Sequence, residues 1–446
     1  MTTQKEREAI GQQFKKRMNE DELLNCMRCG FCLPTCPTYI ESGFQESHSP
    51  RGRLAIMKAV VDGLIEPDED VERSLNMCLG CRACEPVCPS GVNYGHLLEE
   101  ARDIINQNKK HSLPVRTVRN VVFNGLFPHQ HRIQTLTGLL GFYQRSGLQK
   151  VVRKSGIMNL LPENLSAMEK ILPDVPTMNE IKKRPTHLPA KSEVKKRVAF
   201  FSGCLMDTMF MKTNDSTMKL LQLAGCEIVI PTEQACCGAL HGHTGEKKGA
   251  KELAKRNVIA FERLNVDYII TNAGGCGAFL IEYDHLLKDE PEWAERSKQF
   301  SAKLKDISSI LVELEFHKQN LTLPEQVITY QDSCHLRNVM KTSIEPRILL
   351  KAIKNTKYRE MKNADGCCGS AGIYNIVESK MSMQILDSKM KTAKATEATT
   401  IVIANPGCLL QMKLGIEREG LTDRVRAIHI VDLLIEAAQT VESNII

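Results

Sequence analysis

Beyond residue 196, short apolar runs alternate with longer stretches of helical spacing. "RVAFF" (197–201), "CEIVIP" (226–231) and "DYIITN" (267–272) are apolar and β-branched, as strands are. Between them, "STMKLLQLAG" and "GAKELAKRNVIAFERL" repeat apolar residues with the period of a helix. Strands alternating with helices predict a parallel α/β unit. The plan restarts at "QVITYQDSC" (326–334), continues through "TIVIANPGC" (400–408) and ends in "RVRAIHIVDLLIEAA" (424–438). Ahead of these units, residues 101–150 read as helical, with apolar clusters "VVFNGLF" and "TLTGLLGFY". Residues 160–197 mix prolines with basic runs and read as a linker.

Composition changes this picture at one point. Of 446 residues, 42% are hydrophobic and 25% charged, which is ordinary for a globular chain, but seventeen are cysteines. The first residues are polar and helix-patterned with no apolar signal segment, and no run of about 18 apolar residues occurs, so the expected location is the cytosol. Peripheral attachment to the inner face of the cell membrane through a partner stays open. Thiols remain reduced there, and clustered cysteines then argue for metal or redox chemistry over disulfides.

Eight cysteines fall in two blocks. "CMRCGFCLPTCP" spaces Cys26, Cys29, Cys32 and Cys36 as C-x2-C-x2-C-x3-C-P, and "CLGCRACEPVCP" does the same with Cys78, Cys81, Cys84 and Cys88. Three thiolates on a tight loop grip three corners of a cubane, while the fourth reaches the neighbouring cluster. Cys26, Cys29, Cys32 and Cys88 are therefore expected on one [4Fe–4S] cluster, and Cys78, Cys81, Cys84 and Cys36 on another. Structural zinc spreads its cysteine pairs further apart than this. Two such clusters at about −2 each reduce the formal charge of +6 to roughly +2, which leaves no nucleic-acid footprint. In the segment between the blocks, Ser49-Pro50 is expected to cap and start a helix. Arg51 and Arg53 either tune a cluster or are exposed first-turn arginines, and the exposed reading is the plainer.

The α/β units carry the remaining pattern. Cys204 leads the pair Cys236-Cys237 by 32 positions and Cys276 follows it by 39; Cys334 leads Cys367-Cys368 by 33 and Cys408 follows by 40. The matched intervals mark an internal repeat. In each copy the cysteines follow strands, so parallel strands would gather them at the carboxyl edge of a sheet. Gly238 and Gly369 are expected to let the backbone turn tightly after each pair. Cys226 has no counterpart and reads as an inert core thiol. His241 and His243, and Asp332 and His335 beside Cys334, are open between ligand, proton carrier and polar loop residue.

Two C-x2-C-x2-C-x3-C-P blocks followed by two Cys-Cys-Gly repeats resemble the iron–sulfur subunits of bacterial glycolate oxidases, with similar layouts in anaerobic glycerol-3-phosphate dehydrogenases, lactate-utilisation proteins and heterodisulfide reductases. The resemblance covers about residues 20–440. It implies an electron-transfer subunit that takes electrons from an FAD-binding partner oxidising a 2-hydroxy acid, glycolate to glyoxylate, and passes them toward the quinone pool. It also implies one or two further clusters at the Cys-Cys-Gly repeats. The closing C-x2-C of the full repeat is reduced here to "NAGGC" and "ANPGC", so each half keeps four of five cysteines. That departure counts against the disulfide-reductase alternative. A regulatory iron–sulfur sensor, the alternative of another class, lacks a basic helix-turn-helix stretch and aromatic platforms. The expected architecture is α+β: a mostly helical bis-[4Fe–4S] ferredoxin-type domain over 16–110, a helical segment and Pro-containing linker over 111–197, and α/β Cys-Cys-Gly repeats over 198–318 and 325–440.

Overall fold

The computed structural model describes residues 2–156 and 169–443. Residues 157–168 of the expected linker lie outside the described residues.

The N-terminal region is helical. Gln4–Arg17 opens on a capping box between Thr3 and Glu6 and buries Ile10 and Phe14 against Tyr94–Asn108. Pro50–Val61 starts as expected: the Ser49 hydroxyl accepts from the Gly52 N–H at 2.9 Å and Pro50 occupies the first turn. The expectation for Arg53 is corrected. Its side chain is fully buried, donating to the Ser74 carbonyl at 2.7 Å and the Thr38 hydroxyl at 3.1 Å. Gly52 and Arg53 lie on the inward side of the helix, so the guanidinium has no route to water. Arg51, two positions earlier, is half-buried and pairs with Glu46 at 2.7 Å.

Two parallel sheets follow. The first contains β1 (His187–Leu188), β2 (Lys196–Phe200), β3 (Cys226–Val229), β4 (Tyr268–Thr271) and β5 (Leu304–Asp306), in the order β1-β3-β2-β4-β5. Only β1 runs antiparallel, so residues that read as linker supply an edge strand. The second contains β6 (Thr322–Gln331), β7 (Lys354–Tyr358), β8 (Thr400–Ile403) and β9 (Arg426–His429), in the order β7-β6-β8-β9. Leaving β1 aside, both sheets share one order: first strand central, second strand outside it, third and fourth on the other side. The sequence repeat is thus a repeat of topology.

One apolar core spans both sheets. Val198, Phe200, Ile228 and Ile270 from the first join Ile328, Tyr330 and Val402 from the second, closed by the helices Met211–Leu223 and Ile430–Ser443. The cysteine-bearing loops of the two halves are therefore held in a fixed relation. Cys226 lies fully buried on β3 within this core, where burial pushes its thiol up to about 12, in keeping with an inert role.

Replacing Arg53 by Met retains the apolar stem but strips donors from the Ser74 carbonyl and Thr38. We expect Arg53→Met to destabilise the N-terminal region by about 3 kcal/mol and lower the melting temperature. Arg51→Met should stay within about 0.5 kcal/mol of the parent. Equal melting temperatures for the two variants would contradict the assignment.

Candidate functional site

The two cysteine blocks follow one backbone path. In the first, Arg28 and Gly30 adopt positive φ (55° and 88°); in the second, Gly80 and Arg82 do so (65° and 57°). Each pair brackets the middle cysteine, so the chain curls and turns three sulfurs toward one point. The fourth cysteine of the first block then leaves the loop: Cys36 is the N-cap of Pro37–Glu41.

The fourth cysteine of each block lies near sulfurs of the other block. Cys26, Cys29 and Cys32 line one cavity together with Cys84 and Cys88. Cys36 lies within electrostatic reach of Cys81 and Cys84 of the second block, and also of Cys32 of its own. Among the described residues no three or more His, Cys, Asp or Glu side chains are gathered as they would be around a single metal ion. A multi-iron cluster separates its thiolates more widely than one ion does.

The charges fit such a group. Arg53 is buried with its Nη1 lacking a hydrogen-bond partner among the described residues. Burial alone would lower its basicity, but Cys78, Tyr94 and Cys36 around it raise it. Burial would likewise raise Cys78, yet Arg53 and Arg102 hold that thiol below its ordinary value. A buried guanidinium with an unused N–H beside two cysteines suits thiolates carrying a cluster and does not suit neutral thiols. Cys81 and Cys84, without such a cation, are pushed up by burial.

In the repeats, every expected cysteine reaches the carboxyl edge of its sheet. Cys204 follows β2, Cys236-Cys237 follow β3, and Cys276 sits in Gly274–Ile281 after β4. Cys334 opens the helix after β6, Cys367-Cys368 follow β7, and Cys408 lies in Pro406–Arg418 after β8. Cys204 is within hydrogen-bonding reach of Cys236, and Cys237 of Cys276; likewise Cys334 of Cys367, and Cys368 of Cys408. The glycine after each pair takes a positive φ, 84° at Gly238 and 91° at Gly369. At Gly369 a Cβ would also meet the Ser382 carbonyl oxygen at 2.6 Å, so only glycine fits.

The two halves differ in charge. Lys389 is 4% exposed, donates to the Asn363 carbonyl, and lies in the field of Cys368 and Cys367. Burial lowers its basicity, and those sulfurs, with Asp365 and Asp332, partly restore it. In the first half the equivalent helix, Lys247–Glu262, carries Asn257 against the pair; its amide donates to the Cys236 carbonyl at 3.1 Å and its oxygen accepts from the Ala235 N–H at 2.8 Å. A neutral amide in one half stands where the other has an ammonium group.

The second cysteine block docks on both halves. The Asn338 amide donates to the Cys81 carbonyl at 2.9 Å, and the Tyr374 hydroxyl donates to the Met77 carbonyl at 3.1 Å. His335 lies 2.9 Å from the Gly80 carbonyl; burial and the adjacent His243 lower it to about 4, so the neutral ring carries its proton on Nε2. Cys81, Cys334 and Cys367 share one apolar cluster. From the first half, Glu282 pairs with Arg82 and with His96. The halves also meet each other: the Gly275 N–H donates to Asn405 Oδ1 at 2.9 Å, and Cys276 packs against the apolar cluster that includes Cys368 and Cys408.

The residues left open by sequence resolve as contacts. His241 is buried, 2.8 Å from the Phe123 carbonyl, and His243 Nδ1 is 2.7 Å from Glu99. Asp332 is held by Arg347 at 2.8 Å. Sequence reasoning missed Lys389, Asn338 and Tyr374; one signal within reach was a lysine at an otherwise apolar position of the helix that follows the second pair.

Comparison with known proteins agrees with this geometry. A model described as "4Fe-4S dicluster domain" matches residues 22–92, "Glycolate oxidase iron-sulfur subunit, linker region" matches 114–172, and "Cysteine-rich domain" matches 198–281 and 328–413. A probable glycolate oxidase iron–sulfur subunit of Bacillus subtilis is 71% identical over 439 residues, 98% of this chain and 99% of the relative. The glycolate oxidase iron–sulfur subunit of Escherichia coli is 29% identical, covering 89% of this chain and 91% of its own. Lactate utilization protein A of Halalkalibacterium halodurans is 30% identical over 55% of this chain and 99% of its own. With two cysteine blocks, a linker and a duplicated cysteine-rich unit all matched in order, this chain is an oxidoreductase component belonging to the glycolate oxidase iron–sulfur subunit family.

Proposed function

We propose that this chain is the electron-carrying subunit of a complex in which an FAD-binding partner oxidises glycolate to glyoxylate, with quinone as the eventual acceptor. The relatives' names support the substrate, and the contact of the second cysteine block with the second repeat carries the reading. Cys26, Cys29, Cys32 and Cys88 would hold one [4Fe–4S] cluster, and Cys36, Cys78, Cys81 and Cys84 the second. When bound, such clusters supply one-electron storage without bond chemistry.

The chain's own residues bury and balance these groups. Arg53 and Arg102 offset thiolate charge at the second block. Asn338, His335 and Tyr374 fasten that block to the second repeat through backbone carbonyls. Cys81 and Cys334 consequently pack against one apolar cluster, within electrostatic reach of each other. Cys334, Cys367, Cys368 and Cys408, with Lys389 supplying a buried positive charge, would hold a third cluster. The first repeat, with Asn257 in that position, would hold four thiols and no cluster.

Anaerobic purification with iron counting tests the site assignments. The expected value is about twelve irons per chain, falling to about eight in Lys389→Asn. A parent with about sixteen irons, or Lys389→Asn with unchanged iron, would refute the asymmetry.

The electron-carrier role has its own check. Glycolate should bleach the visible absorbance of the purified chain only when the FAD-binding partner is present, and glycolate binding should be absent without it. Bleaching by glycolate alone, or by a disulfide–thiol couple in place of glycolate, would refute it.

A further inference from the structure

Residues 104–162 contain nine Lys or Arg and no Asp or Glu, although the whole chain holds 59 basic and 53 acidic residues. A stretch of that length with average composition would carry several carboxylates. Lys109, Arg119 and Arg153 find theirs elsewhere in the chain, in Glu72, Glu246 and Glu169. Arg116, Arg132, Lys150 and Lys154 are exposed.

Large apolar side chains are exposed beside these cations. The helix Gln130–Arg145 buries Ile133, Thr137 and Gly141, and leaves Leu136, Leu139 and Phe142 exposed by 52%, 62% and 69%. Val121, on the π-helical turn Asn120–Leu126, lines a cleft with Arg132 and Leu136. Leu113 and Val118 on Leu113–Arg119, and Leu148 and Val151 on Leu148–Lys154, are also more than half exposed. Isolated exposed apolar residues need no explanation, but a run of them over successive helices marks a surface that something covers.

The charge decides what covers it. A segment that brings nine basic and no acidic side chains of its own, and leaves Arg116, Arg132, Lys150 and Lys154 exposed, selects a negative occupant. Lysines are depleted from the centres of protein–protein interfaces, whereas Leu and Phe interleaved with Lys and Arg are the pattern of helices lying in a lipid headgroup layer. No helix among the described residues is long and apolar enough to cross a membrane, so attachment would be in the plane of the surface.

We propose that this face seats on a bilayer bearing anionic headgroups, with Leu136, Leu139 and Phe142 entering the headgroup–acyl boundary and Arg116, Arg132, Lys150 and Lys154 meeting the headgroups. The purpose of this contact, access to a lipid-dissolved quinone, rests on the electron-carrier reading; the lipid contact itself does not.

Vesicle co-sedimentation of the full-length, cluster-loaded chain tests it. Vesicles of phosphatidylcholine with about one-third phosphatidylglycerol should bind the chain, pure phosphatidylcholine should bind it at least about tenfold less, and about 0.5 M salt should weaken binding. Leu139→Ser with Phe142→Ser should weaken binding at least about tenfold without changing iron content. Because those positions are exposed, folding should survive; Lys150→Gln with Lys154→Gln supplies a second variant that acts on charge alone and should reduce the salt-sensitive part. Absence of binding to anionic vesicles, equal binding to neutral ones, or indifference to both variants would overturn the proposal. So would capture of an acidic protein partner by this face in place of vesicles. Each outcome is independent of glycolate-driven bleaching, so the lipid contact and the electron-carrier reading can fail separately.

Discussion

Arg53 has none of its surface in water and an Nη1 amino group with no hydrogen-bond acceptor among the described residues, beside Cys36 and Cys78. A cation buried that way is tolerable only where negative charge is buried with it. The requirement reaches outward. It fixes the helix Pro50–Val61 against the Ser74 carbonyl, and it makes Cys36 of the first block a neighbour of the second block's cysteines. Arg102 extends the arrangement by donating at once to the carbonyls of Leu75, Cys78 and His243, tying the second cysteine loop to the first repeat. Charge balance at the cysteines and docking of the domains are thus served by the same few side chains.

Much of this was legible in sequence because the signals are local. Cysteine spacing within eleven positions dictates a tight loop, and strand-helix alternation dictates a parallel sheet. The nearness of Cys36 and Cys88 to the other block's cysteines is in line with the same spacing. What could not be read were contacts between distant segments. Arg53 looked like a first-turn surface residue because the sequence does not reveal which side of Pro50–Val61 faces Thr38 and Ser74. The strand β7, "KNTKY", is polar and largely exposed at a sheet edge, so hydrophobic patterning has nothing to register. β1 is two residues long inside a stretch whose prolines and lysines read as linker.

The histidines show the same limit from the other side. His241, His243 and His335 stand near cysteines in sequence, which invites a ligand reading. In space each has a nearer claim, on the Phe123 carbonyl, Glu99 and the Gly80 carbonyl respectively. Their work is to join the N-terminal region to the repeats. A histidine beside a cysteine is decided by what its ring nitrogens reach, and that is set by tertiary packing.

Duplication gave the two halves one topology, yet they no longer share one electrostatic character. The backbone turn after each cysteine pair, the glycine at positive φ and the four converging sulfurs are common to both. The position on the following helix that faces the pair has diverged, to Lys389 in one half and Asn257 in the other. Burying an ammonium group costs several kcal/mol unless negative charge accompanies it, and around Lys389 that charge comes from the Cys368 and Cys367 sulfurs together with Asp365 and Asp332. Asn257 satisfies its backbone partners at Ala235 and Cys236 with no charge to balance. The half with the lysine is also the half that touches Cys81. Position in the assembly and local charge therefore both point to the second half as the one we propose to hold a cluster.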